Sequence, residues 1–327
     1  MKLIEEKIQE LKQERNALII AHNYQLDEVQ AIADFTGDSL ELSRKAATLD
    51  EPVVVFCGVH FMAETAAILS PEKTILLPDA GAGCPMADMI DAGKLRALKA
   101  QYPDAKVVCY VNSSAEVKAE SDICCTSSNA VNVVESLGDC KIIFVPDRNL
   151  GSFVAEKLGR PIVLPEKPCG ADIPVCATGR HSCLPHGFIL YNGFCPTHER
   201  IRPVDILAEK EKHPDAVVLA HPECSKPVRD LADELLSTGQ MCRFVQQSNA
   251  TEFIVATEIG INYRLQRENP TKKFYAVCPE RAVCPNMKKI TLEKILWSLQ
   301  DMKTRVTVPP EIARRAAGSI ERMLKIG

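Results

Sequence analysis

One stretch of the chain recurs three times, and the recurrence restricts the fold more than any single motif does. Residues 18–39 run from an apolar segment through His22 to Ser39. The same order of residue types returns, degenerate but ungapped, at 107–127 and 217–238. Tyr110 and His221 stand 88 and 199 positions after His22. Asp122 and Asp233 keep those offsets from Asp34, and Ser127 and Thr238 keep them from Ser39. A valine follows the leading residue by seven in every copy, at Val29, Val117 and Val228. Several matches at constant offset mark a repeated structural unit.

Each copy opens on a strand-length apolar run, and more such runs follow at helix-separated intervals. In the first unit they lie at 17–21, 52–57 and 74–77, and in the second at 106–109, 141–145 and 161–164. In the third they lie at 216–220, 252–256 and 273–277. Residues 27–35 and 62–69 have helical periodicity, as does 1–15 with Leu3, Ile4, Ile8 and Leu11 on one face. Residues 37–39 read as a turn, with Asp38 or Ser39 capping a helix over 40–47. Alternating strands and helices predict an α/β protein of parallel sheets covered on both faces. The expected architecture is three similar α/β/α sandwich domains around a pseudo-threefold axis. They span 1–86, 87–196 and 197–286, with the helical residues 287–327 packing back on the body. The offset between copies two and three exceeds that between copies one and two by 23 residues. Residues 165–192, rich in Pro, Gly and Cys, are the expected insertion, read as a surface loop.

A net charge of −4 over 327 residues offers no basic surface for nucleic acid or an anionic membrane. The longest apolar runs fall far short of a membrane span, and residues 1–7 lack the apolar core of a signal peptide. The expected setting is cytoplasmic. Fourteen cysteines in a reducing compartment then raise the question of metal or catalysis rather than disulfides.

Three of them close the three units as Cys-Pro pairs: Cys84-Pro85, Cys195-Pro196 and Cys284-Pro285. A residue before proline is pushed to extended geometry, which turns the chain and presents its side chain. Three equivalent thiolates around one axis make a metal site. A [4Fe–4S] cluster with one open iron, a zinc ion, and three unrelated buried thiols all remain open on this pattern. Cys169, Cys176 and Cys183, with His181 and His186 nearby, admit a second metal site or a solvent loop. Cys278 admits a redox pairing with Cys284.

Ligands of α/β sheets bind beyond the carboxyl ends of the strands. The repeat places His22, Tyr110 and His221 there, beside Asn23, Tyr24, Asn112 and Glu223. Ser39, Ser127 and Thr238 form a second set at turns that open helices, where a carboxylate or phosphate is well held. A hydroxyl there is most often only a cap, and a histidine after a strand is most often structural. Recurrence at fixed offset favours a shared site. Asp34, Asp122 and Asp233 read as structural turn or cap residues. His198 reads equally as a site residue or a helix opener.

These residues also carry a resemblance. The segments His22-Asn23-Tyr24-Gln25, Gly37-Asp38-Ser39, Phe61 to Thr65, Tyr110 to Ser113, Thr126-Ser127, Gly193 to His198, His221 to Cys224, Ser237-Thr238-Gly239 and Met287 to Leu292 resemble the quinolinate synthase (NadA) family over nearly the whole chain. The resemblance implies three α/β domains and a [4Fe–4S] cluster on Cys84, Cys195 and Cys284 with one open iron. It implies an enzyme, a transferase, that condenses iminoaspartate (iminosuccinate) with dihydroxyacetone phosphate to quinolinate, phosphate and water. That reaction feeds de novo NAD biosynthesis, with iminoaspartate supplied by L-aspartate oxidase. The substrate-binding positions carried over are His22, Ser39, Tyr110, Asn112, Ser127, His198, His221, Glu223 and Thr238. Glu223 and His221 are the expected acid/base groups, with Tyr24 as proton relay or lid. The sequence departs from shorter relatives in the 165–192 insertion, and it lacks the C-terminal Cys-x-x-Cys-x-x-Cys of some members. A diphthamide-synthase-like radical protein shares the one-cysteine-per-domain layout but lacks the His-Asn-Tyr-Gln and His-Pro-Glu segments. A non-catalytic α/β redox sensor would need no open iron.

Overall fold

The computed structural model describes residues 2–163 and 186–326. The first unit contains β1 (Ala17–His22), β2 (Phe35–Gly37), β3 (Val53–Cys57) and β4 (Thr74–Leu76), in the sheet order β2-β1-β3-β4. The second contains β5 (Lys106–Tyr110), β6 (Ile123–Cys125), β7 (Ile142–Val145), β8 (Ile162–Val163) and β9 (Phe188–Leu190), in the order β6-β5-β7-β9-β8. The third contains β10 (Val217–Ala220), β11 (Glu234–Leu235), β12 (Glu252–Ala256) and β13 (Lys273–Ala276), in the order β11-β10-β12-β13. Every pairing between these strands is parallel. Helices cover both faces, so the inner strands are apolar throughout. All five residues of Val53–Cys57 are buried, as are all four of Ile142–Val145. The chain is thus three similar α/β/α units.

Two features differ from the sequence expectation. The second unit's strand beside β7 is Phe188–Leu190, inside the segment read as a loop. Ile162–Val163 lies outside it as a fifth strand. The short apolar run Phe188–Leu190 sits between polar neighbours, which masks it in a periodicity search. Cys169, Cys176, Cys183 and His181 lie outside the described residues, as does the expectation of a metal site there.

The second difference is an edge strand in each unit, β2, β6 and β11, in place of the predicted helix end and turn. Two or three residues are too few to show a period. These strands are held by the recurring aspartates. Asp34 accepts the Ile19 N–H on Oδ2 (2.9 Å) and donates its own N–H to the Ile19 carbonyl (2.8 Å). Asp122 grips Val107 in the same way, at 2.8 and 3.1 Å. Asp233 grips Val218 at 2.8 and 2.9 Å. The aspartates are structural, as strand clamps rather than helix caps.

Asp38 caps the helix Ser39–Ala46 in a capping box with Glu41, and Ser237 caps Thr238–Gln247 with Gln240. Ser39 and Thr238 are therefore first helical residues. The corresponding helix of the second unit starts later, at Ala130, three positions past Ser127. Helix Leu292–Asp301 packs on the N-terminal helix Lys2–Glu14, and Pro310–Leu324 packs on β6 and on helix Ala115–Ala119. Among the described residues no helix is long and apolar enough to cross a membrane.

Candidate active site

The three Cys-Pro pairs open three short helical turns. The carbonyls of Cys84, Cys195 and Cys284 accept the N–H four residues on, at 3.2, 3.0 and 3.3 Å. Proline at the first position of such a turn gives up only an N–H that would have no partner. The next N–H groups point at sulfur: Met86 and Ala87 at Cys84, His198 at Cys195, and Asn286 and Met287 at Cys284. Two residues before each cysteine a carbonyl is clamped from elsewhere in its unit. Ala82, Gly193 and Ala282 accept the N–H groups of His60, Arg148 and Ile259 at 2.8, 2.8 and 2.9 Å. These donors keep the offsets of 88 and 199, so the clamp belongs to the repeat.

The described cysteines are all free, so no Cys278–Cys284 disulfide is present. Burial pushes the Cys84 thiol up to about 12, and it raises Cys195 and Cys284 as well. Cys195 is also repelled by Cys84 and by Cys284. Buried thiols that repel one another and already hold N–H donors to sulfur favour a shared cation, which takes them as thiolates.

Beside Cys195 lies a buried polar group. Glu223 is 3% exposed and His198 is 1% exposed. Glu223 Oε2 stands 2.7 Å from His198 Nδ1, and Oε1 accepts the Tyr110 hydroxyl. Burial opposes charge on Glu223, but the imidazole of His198 and the Tyr110 hydroxyl hold its carboxyl below the ordinary range. His198 Nε2 meets Thr257 Oγ1 at 2.8 Å, and the Tyr24 hydroxyl meets the same oxygen at 2.6 Å. The rings of His198 and His221 stack at 4.7 Å.

His22 and His221 are held alike. Each Nδ1 accepts the backbone N–H two residues on, from Tyr24 and from Glu223, both at 3.2 Å. Their protons therefore sit on Nε2. Burial lowers His22 to about 4 and His221 to about 3, so both are neutral donors at pH 7. His221 Nε2 lies 3.2 Å from Ser127 Oγ.

The hydroxyl set rests on a knot between units. Asp38 Oδ2 accepts Ser128 Oγ at 2.6 Å and Ser237 Oγ at 3.0 Å, and those two hydroxyls lie 2.6 Å apart. One side chain from each unit thereby fixes the helix starts at Ser39 and Thr238. Asn23 adds a bond from the first unit to Thr238 Oγ1 at 2.9 Å.

All of these surfaces meet in one cavity of about 140 Å³. A cavity of roughly 150 Å³ takes a single benzene-sized ring. Its walls include His22, Tyr24, Ser39, Tyr110, Asn112, Ser127, His198, His221, Glu223 and Thr238, together with Cys84, Cys195 and Cys284. The structure thus brings to one cavity the site residues singled out in the sequence other than Asn23, which bonds Thr238 from behind the wall. Asn112 Oδ1 is buried there without a hydrogen-bond partner, a polar atom left for a ligand.

Sequence reasoning missed four contributors. Among the described residues Arg200 is the one Lys or Arg on the cavity wall. Thr257 bridges Tyr24 to His198. Asp38 ties the units, and its place before Ser39 was the available signal. Glu258 is fully buried, accepts the N–H of Cys284 (3.0 Å) and of Gly260 (2.7 Å), and pairs with Lys288 at 3.0 Å. Lys288 Nζ in turn donates to the Tyr24 carbonyl at 2.6 Å. The position equivalent to Glu258 in the first unit is Val59, so the repeat gave no signal for it.

Comparison with known proteins places this geometry. The family model described as quinolinate synthetase A protein matches residues 6–325. A quinolinate synthase of Dehalococcoides mccartyi is 56% identical over 324 residues, covering 99% of this chain and 98% of its own length. One from Thermodesulfovibrio yellowstonii is 49% identical over 321 residues, covering 98% and 97%. One from Methanoregula boonei is 49% identical over 324 residues, covering 99% and 98%.

Proposed function

The chain belongs to the quinolinate synthetase A family, and from that premise we propose that this enzyme condenses iminoaspartate with dihydroxyacetone phosphate. The products are quinolinate, phosphate and two waters, in de novo NAD biosynthesis. The observation that carries the proposal is that the three Cys-Pro cysteines and the ten recurring or adjacent polar residues line one cavity.

The cofactor in this proposal is a [4Fe–4S] cluster on Cys84, Cys195 and Cys284. The donor set suits it: three free thiols, one per unit, each with N–H groups already aimed at sulfur. When bound, such a cluster supplies an open iron that acts as a Lewis acid toward substrate oxygen or nitrogen. The free cysteines suit a reducing, cytoplasmic setting.

The chain's own groups bind and move protons. Both substrates are anions, and the wall offers neutral donors plus Arg200. The Ser39, Ser127 and Thr238 hydroxyls and the Nε2–H groups of His22 and His221 hold carboxylate and phosphate oxygens. The enamine carbon replaces the bond to phosphate, proton transfer moves the carbonyl from the ketone carbon to the terminal carbon, the nitrogen joins that aldehyde carbon to close the six-membered ring, and two waters leave. The Glu223 carboxylate accepts a proton from substrate, and Tyr110 keeps its second oxygen occupied. Tyr24, Thr257 and His198 form a hydrogen-bonded chain that passes protons along the cavity wall. The small cavity keeps bulk water from the imine, which hydrolyses readily. That lability makes direct supply from L-aspartate oxidase advantageous.

An anaerobic assay tests the proposal. Iron- and sulfide-replete protein given oxaloacetate, ammonia and dihydroxyacetone phosphate is expected to release quinolinate. Iron-replete protein that releases none contradicts the assignment.

A further inference from the structure

We infer that the cluster-free chain binds one zinc-like divalent cation on Cys195, His198 and Glu223, a site that excludes the three-cysteine group because it shares one ligand with it. Among the described residues these three offer ligand atoms all within 4.8 Å of one another. A tetrahedral zinc with sulfur at about 2.3 Å and nitrogen at about 2.0 Å sets its ligands about 3.5 Å apart. Closing the triad therefore takes side-chain shifts of about 1 Å. Cys195 and His198 lie on one helical turn, and Glu223 arrives from the turn after β10.

Independent details point the same way. His198 Nδ1 is buried and stands 2.7 Å from Glu223 Oε2. These two atoms already converge beside the Cys195 sulfur, and a cation there displaces the proton that His198 and Glu223 share. The outer partners are also in place. His198 Nε2 meets Thr257 Oγ1 at 2.8 Å, and the other oxygen of Glu223 accepts Tyr110. Such partners orient metal ligands and fix the imidazole tautomer. One thiolate, one carboxylate and one neutral imidazole balance a divalent charge, so the buried site carries no net charge. Thiolate and imidazole select zinc over magnesium or calcium. The cavity supplies the open fourth position.

The inference rests on the proposed function only for the competition, since a cation on Cys195 removes one of the three cluster thiols. The test uses full-length chain, reduced, stripped with a chelator under anaerobic conditions and titrated with Zn²⁺ by calorimetry. Wild type is expected to take one zinc per chain, and Cys84→Ala and Cys284→Ala are expected to keep it. His198→Gln and Glu223→Gln should weaken binding at least tenfold, and Thr257→Val about tenfold. No binding by wild type overturns the inference. So does loss in Cys84→Ala and Cys284→Ala, which would locate the ion on the three thiols. A second arm follows iron and sulfide uptake. Zinc loaded beforehand should block uptake in wild type and not in Glu223→Gln, which retains all three cysteines. Equal blockage in both also overturns it. Failure of wild type to take up iron at all would count against the proposed cofactor and leave the zinc titration standing.

Discussion

At the scale of single residues, Glu223 carries the greatest chemical burden. It is buried, ionised and touched by both His198 and Tyr110. Glu223→Gln removes the proposed base and leaves the cysteines, so kcat should fall about 10²- to 10⁴-fold while iron content stays at the wild-type level. Steady-state kinetics with iron analysis checks both halves. His22 makes a second prediction, on stability. Its folded value of about 4 lies below the ordinary 6.5, so between those pH values the unfolded chain binds the extra proton. Its contribution is complete above pH 6.5 and is lost as pH falls toward 4, by roughly 3 kcal/mol. Urea midpoints across that window should flatten in His22→Gln; an unchanged pH profile would sink the claim. Residue-scale legibility was uneven for a physical reason. His22, Tyr110 and His221 showed because they recur at constant offset. Thr257, Glu258 and Arg200 did not, because a site that holds an asymmetric substrate needs residues that break the repeat.

Elements place those residues. Gly193 is the carbonyl clamp of the Cys195 turn, and a Cβ there would stand 2.5 Å from the Pro146 carbonyl oxygen. That atom is backbone and cannot swing away. Gly193→Ala should therefore push the Cys195 turn out of line and lower iron content without removing a ligand. Iron per chain in folded Gly193→Ala protein, judged by circular dichroism, is the check, and full iron content would contradict the clamp. Asp38 caps one helix and accepts two hydroxyls from other units. Asp38→Ala loses the cap and leaves one of the two hydroxyls without an acceptor, at a cost of about 2 kcal/mol, seen as a lowered urea midpoint. Asp38→Asn keeps most of the cap and should lose less. The long inner strands were legible from their apolar runs. The edge strands β2, β6 and β11 were not, because backbone pairing through an aspartate side chain leaves no period. Phe188–Leu190 was hidden by the composition of the segment around it.

For the whole molecule, three copies of one α/β/α unit bring three equivalent Cys-Pro turns, two equivalent helix starts and Ser127 to one cavity. The repeat arithmetic made three similar units readable from the sequence, since the offsets of 88 and 199 recur at several positions, but it did not reveal the strand Phe188–Leu190 within the longer second unit. What offsets cannot convey is how far the units interpenetrate. The Asp38–Ser128–Ser237 knot and the Glu258–Lys288 pair each join segments distant in sequence. The central claim is that Cys84, Cys195 and Cys284 together hold one [4Fe–4S] group at the substrate cavity. Its most direct test is iron and acid-labile sulfide per chain in anaerobically isolated wild type and in Cys84→Ala, Cys195→Ala and Cys284→Ala. The account predicts about four of each in wild type and close to none in any variant, as a cubane requires. A full complement in any one of the three variants would contradict it.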